Sequence, residues 1–219
     1  MHEVKGLSVE ILWFKHLNST HKHLIEGVKS GSFKAPLALG ADFQSEGVGS
    51  RGNSWDGFEG NLFFSFCVEE KQLPKDLQLA SCSIYFSWIM KEVLCTLGSK
   101  IWIKWPNDFY LDTKKIGGTI SSKIGTTIIG SIGINILYAP QEFGVLDIDI
   151  PPKALANLFI DKLEKKISWK NVFSKYKIEF QNSLGFTFHL NGKILSLAEA
   201  KLCEDGSIEI ENKKVYSLR

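Results

Sequence analysis

Two hydrophobic periods alternate along the chain, and they divide it into elements. Leu7–Phe14 is rich in β-formers and predicts a strand almost at once. Asn18-Ser19-Thr20 supplies N-cap chemistry for a helix running to about Val28 and closed by Gly31. Pro36–Phe43 predicts a buried strand, Gln44 to about Gly60 a glycine-rich loop, and Asn61–Val68 another apolar strand. Between Leu77 and Leu97 the apolar residues recur at helical spacing (Leu79, Ile84, Phe86, Ile89, Val93, Leu94), and Gly98 marks the stop. Lys100–Trp105 then alternates, with Ile101, Ile103 and Trp105 on one face, until Pro106 ends the strand.

Short strands are predicted at Phe109–Leu111, Lys115–Ser122 and Thr126–Ile136, and helices at Pro152–Lys166 and Trp169–Leu184. From Phe186 onward, short β runs are punctuated by the turn signals Asn191-Gly192, Asp205-Gly206 and Asn212. The expectation is an α+β fold: a mixed, largely antiparallel sheet with helices on one side, spanning residues 1–184. A small C-terminal β barrel would occupy residues 185–219.

Composition adds limits. A chain of 219 residues, 44% hydrophobic and 23% charged, can bury a core and reads as globular. A net charge of +2 lacks the basic excess of a dedicated nucleic-acid binder, and the lysines around 162–170 read as one solvated helix face. Cys67, Cys82, Cys95 and Cys203 form no C-x-x-C pair and each lies in or beside an apolar stretch, so buried free thiols in a reducing compartment are expected. Without a signal-peptide pattern or a membrane-spanning apolar run, the expected location is cytoplasmic, with no membrane partner. His21 and His23 lie two apart, on different faces of a helix, so no zinc site is expected.

Gly47-Val48-Gly49-Ser50-Arg51-Gly52 is a literal G-x-G-x-x-G. A dinucleotide-binding turn must open a helix, so that pyrophosphate meets its N-terminus. Here Asn53-Ser54-Trp55-Asp56-Gly57 follows, without a helical stripe. The near match to a P-loop fails too, because Asn53 stands where lysine is required. What remains is a backbone with five glycines between Gly47 and Gly60, able to approach an anion closely, and the planar guanidinium of Arg51.

Taken together, Phe43–Trp55 with Gly60-Asn61-Leu62, Lys104-Trp105-Pro106-Asn107-Asp108 with Lys115-Ile116-Gly117-Gly118, Gly133-Ile134-Asn135, and Asn18-Ser19-Thr20 resemble the motif blocks of the biotin–protein ligases, in family order. The resemblance covers about residues 7–140 and extends weakly into the C-terminal β module. It implies a fold like that of class II synthetases and biotin ligases, with an SH3-like C-terminal barrel. It also implies an activity: ATP-dependent conversion of biotin to biotinyl-5′-AMP, then transfer to a lysine of the biotin carboxyl carrier protein of acetyl-CoA carboxylase. ATP, Mg²⁺ and biotin are the small molecules implied. No nucleic-acid partner is implied, and a homodimer is left open.

The resemblance distributes roles. Lys115 would stand between the biotin carboxylate and the α-phosphate, where both half-reactions concentrate negative charge. Asp108 would orient or accept a proton from the attacking lysine, or else merely cap the Pro106-Asn107 turn. Arg51 is the third catalytic candidate, a phosphate contact. Ser19, Thr20, Gln44, Gly47, Val48 and Gly118, with Lys115, would surround biotin, whose urea needs paired donors and acceptors. Arg51, Gly52, Trp55, Asn61 and Asn135, with Lys115, would hold the nucleotide, Trp55 by stacking on adenine at roughly 1–3 kcal/mol. Lys104 either contacts phosphate or carrier or is simply solvated.

Two departures stand out. Val48, Ser50 and Asn53 occupy loop positions where the family commonly has arginine, so ATP or the adenylate should be held less tightly and the intermediate should escape more readily. The catalytic strand begins near Leu7, leaving no room for the DNA-binding domain of the regulatory members, so the single-function form is expected. The rivals are a lipoate–protein ligase, a non-catalytic ligand-binding module, and a nucleic-acid binder using the basic helix and β module.

Overall fold

The computed structural model describes residues 9–49, 54–190 and 192–216. Among them, eight strands build one sheet: β1 (Glu10–Leu17), β2 (Leu37–Val48), β3 (Ser54–Gly57), β4 (Leu62–Glu69), β5 (Trp102–Lys104), β6 (Asp108–Leu111), β7 (Lys114–Ile124) and β8 (Thr127–Ile134). Their order is β1-β2-β4-β8-β7-β6-β5, with β3 paired to the far end of β2. Only the β1–β2 ladder is parallel. The other ladders of this sheet are antiparallel.

Four helices accompany the sheet: α1 (Thr20–Ser30), α2 (Cys82–Thr96), α3 (Pro152–Leu163) and α4 (Trp169–Glu179). The two-residue period of β4 explains their placement. Leu62, Phe64, Phe66 and Val68 enter the main core, where Phe66 meets Phe86 of α2 and Phe64 meets Phe159 of α3. Cys67 points the other way and, with Leu37, Leu39 and Ile129, packs against Leu24 of α1. The helices therefore do not all share one side. α2, α3 and α4 cover one face, and α1 covers the other because Leu24, Ile25 and Val28 need a second apolar patch.

The caps read in the sequence are present. Ser19 is the N-cap of α1 and Gly31 ends it at φ 77°; Gly98 follows α2 at φ 98°. The span read as one glycine-rich loop is in part a hairpin, because β2 runs on to Val48 and pairs with β3 through a bulge between Gln44 and Gly47. Of the four cysteines, Cys67 and Cys82 are buried, whereas Cys95 is exposed and Cys203 half-buried; all four are free. The lysine-rich segment is not wholly solvated either, since Lys162 joins Lys175 on the Glu92 carboxylate and ties α3 and α4 to α2.

The C-terminal residues form the hairpin β9 (Thr187–Leu190) with β10 (Lys193–Ser196), and an antiparallel sheet of β11 (Lys201–Leu202), β12 (Ile208–Ile210) and β13 (Lys213–Val215). Phe188, Leu197, Ile208 and Val215 belong to the same buried cluster as the helices. Docking centres on one turn: the Trp105 Nε1 donates to Gly206 O (2.9 Å), Trp169 Nε1 to Glu204 O (2.8 Å) and Ser81 Oγ to Asp205 O (2.8 Å). No helix among the described residues is long and apolar enough to cross a membrane.

Candidate functional site

A cleft opens on the α1 face of the sheet. One end is built by the α1 N-terminus and β2. Gln44 Oε1 accepts from Thr20 N at 2.6 Å, and Glu46 N donates to Asn18 O at 2.8 Å, so two distant segments are laced together. Ser19, Thr20 and Gln44 are all nearly buried there. Beneath them, Ser65 Oγ lies 2.8 Å from both Thr20 Oγ1 and Ser131 Oγ, and Ser131 Oγ lies 2.7 Å from His21 Nδ1. Burial pushes the His21 imidazole down to about 4, so the ring is neutral near pH 7.

The middle of the cleft carries the charges. Lys115 Nζ lies 2.7 Å from Asp108 Oδ1, with both side chains about one-fifth to one-quarter exposed. Asp108 opens β6 just after the Trp105-Pro106-Asn107 turn. That turn is tied down by Asn107, whose Nδ2 donates to Thr119 O and whose carbonyl accepts from Thr119 N. Lys115 sits opposite Tyr110 beside the β6–β7 bulge, which re-aims its side chain. A side chain at Gly118 would stand 3.2 Å from Asp108 Oδ1, so glycine there keeps the space around the ion pair open.

Trp55, on β3, lines both this cleft and a small neighbouring cavity shared with Ser54, Asn135, Pro140 and Phe143. Its indole lies over Gly133, where an added Cβ would be 3.1 Å from Cε2. The indole Nε1 is buried without a hydrogen-bond partner among the described residues. Val48 and Gly49 complete the wall on this side.

The structure thus brings together Ser19, Thr20, Gln44, Val48, Trp55, Asp108, Lys115 and Gly118 around one cleft, with Asn135 in the adjoining cavity. Gly47 stands behind Gln44, where a Cβ would meet its Nε2 at 3.1 Å. Asn61 is engaged with backbone. Its Oδ1 accepts from Ile136, Leu137 and Tyr138 N, and its Nδ2 donates to Tyr138 O, so its polar atoms hold the chain after β8 and it lines neither cavity. Asn135 Nδ2 likewise donates to Gly144 O. Lys104 lies over the Tyr110 and Phe186 rings. Arg51 and Gly52, with Ser50 and Asn53, fall outside the described residues. His21, Ser65 and Ser131 carry no motif; what joins them is contact between residues 66 and 110 apart in sequence.

A mixed sheet bearing this cleft, with a lysine–carboxylate pair between a buried polar end and an indole-walled cavity, defines an α+β ligand-binding domain of the biotin ligase-like fold. The chain belongs to the biotin/lipoate A/B protein ligase family, whose model matches residues 13–136. It is 32% identical over 152 residues to the Escherichia coli bifunctional ligase/repressor BirA, covering 66% of this chain and 46% of that one. The chain thus spans just under half the length of that curated relative. It is also similar to a crystal structure of the Helicobacter pylori biotin acetyl-coenzyme A carboxylase synthetase with bound biotinylated ATP. That match has a TM-score of 0.91 and 38% identity, over 95% of this chain and 100% of that one. The Aquifex aeolicus biotin protein ligase in complex with biotin and ATP shares the fold, at TM-score 0.75 and 23% identity over 96% of each chain.

Proposed function

We propose that the chain is an ATP-dependent biotin–protein ligase that forms biotinyl-5′-AMP and passes the biotinyl group to a lysine of the biotin carboxyl carrier protein of acetyl-CoA carboxylase, in the cytoplasm. The single observation that carries this reading is the Lys115–Asp108 pair at the centre of the cleft, between the buried polar end and the Trp55 cavity. Residues 1–184 would form the catalytic unit and 185–219 the appended β module.

On this reading the urea of biotin enters the end lined by Ser19, Thr20 and Gln44, with Gly47, Val48 and Gly118 shaping the path. Its carboxylate then reaches Lys115, where attack on the α-phosphate of ATP forms the acyl–phosphate bond and releases pyrophosphate. Lys115 lowers the repulsion between two anions, the kind of fixed charge that counts most in a water-poor site. Asp108 anchors Lys115 in the resting cleft and, once the adenylate has formed, accepts or orients the proton of the attacking lysine. Adenine would lie against Trp55 and above Asn135, with Gly52 and Arg51 on the phosphate side. Asn61 would act indirectly, by holding the Ile136–Tyr138 backbone that follows β8.

Mg²⁺ would come with the triphosphate. That ion keeps several waters and binds through one or two carboxylates plus phosphates, and among the described residues Asp108 is the carboxylate that lines the cleft. The arginine-poor loop should let the adenylate escape more readily, and a long intermediate lifetime in single-turnover measurements would refute that. Incubation with ATP, Mg²⁺ and a carrier domain should yield one modified lysine with biotin and none with lipoate. Modification by lipoate alone would make the chain a lipoate ligase.

A further inference from the structure

A row of hydroxyls under the polar end of the cleft ends on the His21 imidazole. Thr20, Ser65 and Ser131 are linked in sequence by 2.8 Å contacts, and the chain ends 2.7 Å away at His21 Nδ1. Each hydroxyl carries one proton, so each donates once. Two head-to-tail arrangements let every hydroxyl both donate once and accept once. If Nδ1 donates, the protons run from His21 toward Thr20, and Thr20 presents its own proton to the cleft. If Nδ1 accepts, they run from Thr20 toward His21, and Thr20 presents a lone pair.

The neighbouring groups decide between them. Gln44 uses Oε1 to accept from Thr20 N, which leaves its amide Nε2, beside Gly47, as a donor. Ser19 Oγ accepts from Lys22 N at 3.4 Å, which leaves its proton available. This end of the cleft is therefore rich in donors. A cyclic urea has one carbonyl to receive them, but also two N–H groups that need acceptors.

We propose that His21 is a positioning residue of this pocket: it accepts from Ser131 at Nδ1 as the Nε2–H tautomer, and so turns the Thr20 oxygen into an acceptor for a urea N–H. The inference rests on the functional reading above and deepens it. Burial of the imidazole keeps the ring neutral through the physiological range, the charge state that the Nε2–H tautomer requires. Reversing the chain would set a hydroxyl proton against a urea proton in a buried site, where an unmet polar group is costly.

Histidine-selective ¹⁵N NMR of the full chain reads the tautomer directly, without ligand. His21 should show an unprotonated Nδ1 and a protonated Nε2 from pH 5 to 8; a protonated Nδ1 would overturn the proposal. Calorimetry supplies the second arm. His21→Leu should weaken biotin about tenfold with ATP binding unchanged, whereas His21→Asn, whose Oδ1 can accept, should stay within about threefold of the parent. A leucine variant with parental biotin affinity would overturn the proposal, as would an asparagine variant no better than leucine while both melt like the parent. A parent protein that binds no biotin would instead overturn the functional reading, and the NMR result would stand apart from it.

Discussion

Lys115 and Asp108 face each other at 2.7 Å because a proline turn, an asparagine clamp and a strand bulge converge on them. Replacing Lys115 with alanine should cut adenylation on the order of 10²–10³-fold or more, while biotin still binds measurably in calorimetry. Preserved adenylation would remove Lys115 from the mechanism. Trp55→Ala should raise the KM for ATP on the order of 5- to 100-fold, as loss of a stacked ring implies, and that for biotin much less. Steady-state kinetics separate the two.

These residues were legible because they sit in ordered motif blocks. Asn61 belongs to the same blocks: its type suits ligand contact, and its side chain answers four backbone groups of its own chain. His21 stood outside the blocks, and its partner Ser131 lies on a strand that no local period connects to α1.

Elements assigned by period were recovered where a cap or a proline marked their ends. The helix closed by Gly31 and the one closed by Gly98 are examples. The β2–β3 hairpin was not, because glycines and polar residues after Gln44 erase the alternation that would announce a strand. The side of the sheet on which α1 lies was equally hidden, since it depends on which face of β4 Cys67 occupies. The C-terminal turn was read from Asp205-Gly206, and the structure adds why glycine is needed. Its φ is 77°, and a Cβ would stand 2.6 Å from Ile84 Cδ1. Gly206→Ala should therefore destabilise the protein by about 1–3 kcal/mol in urea titration. An unchanged midpoint would show that this turn does not govern docking of the β module.

At the scale of the whole molecule, α2, α3 and α4 are joined through Glu92. Burial alone would raise its carboxyl, but hydrogen bonds from Lys162 and Lys175 outweigh that and hold it at about 2. A carboxylate depressed in the folded state adds stability above its unfolded pKa, and that stability is lost as pH falls toward the folded value. Glu92→Gln should accordingly flatten the decline in stability between about pH 4.5 and 2, relative to the parent, in acid-dependent melting. An unaltered decline would place the acid-sensitive contacts elsewhere.

The same helices back the sheet whose opposite face carries the cleft, so the site rests on a packed core and not on loops alone. Biotin-dependent exchange of labelled pyrophosphate into ATP tests the central claim most directly. The parent chain should support exchange with biotin and not with lipoate, and Lys115→Ala should abolish it while retaining biotin. No exchange by a parent chain that binds both biotin and ATP would contradict the account.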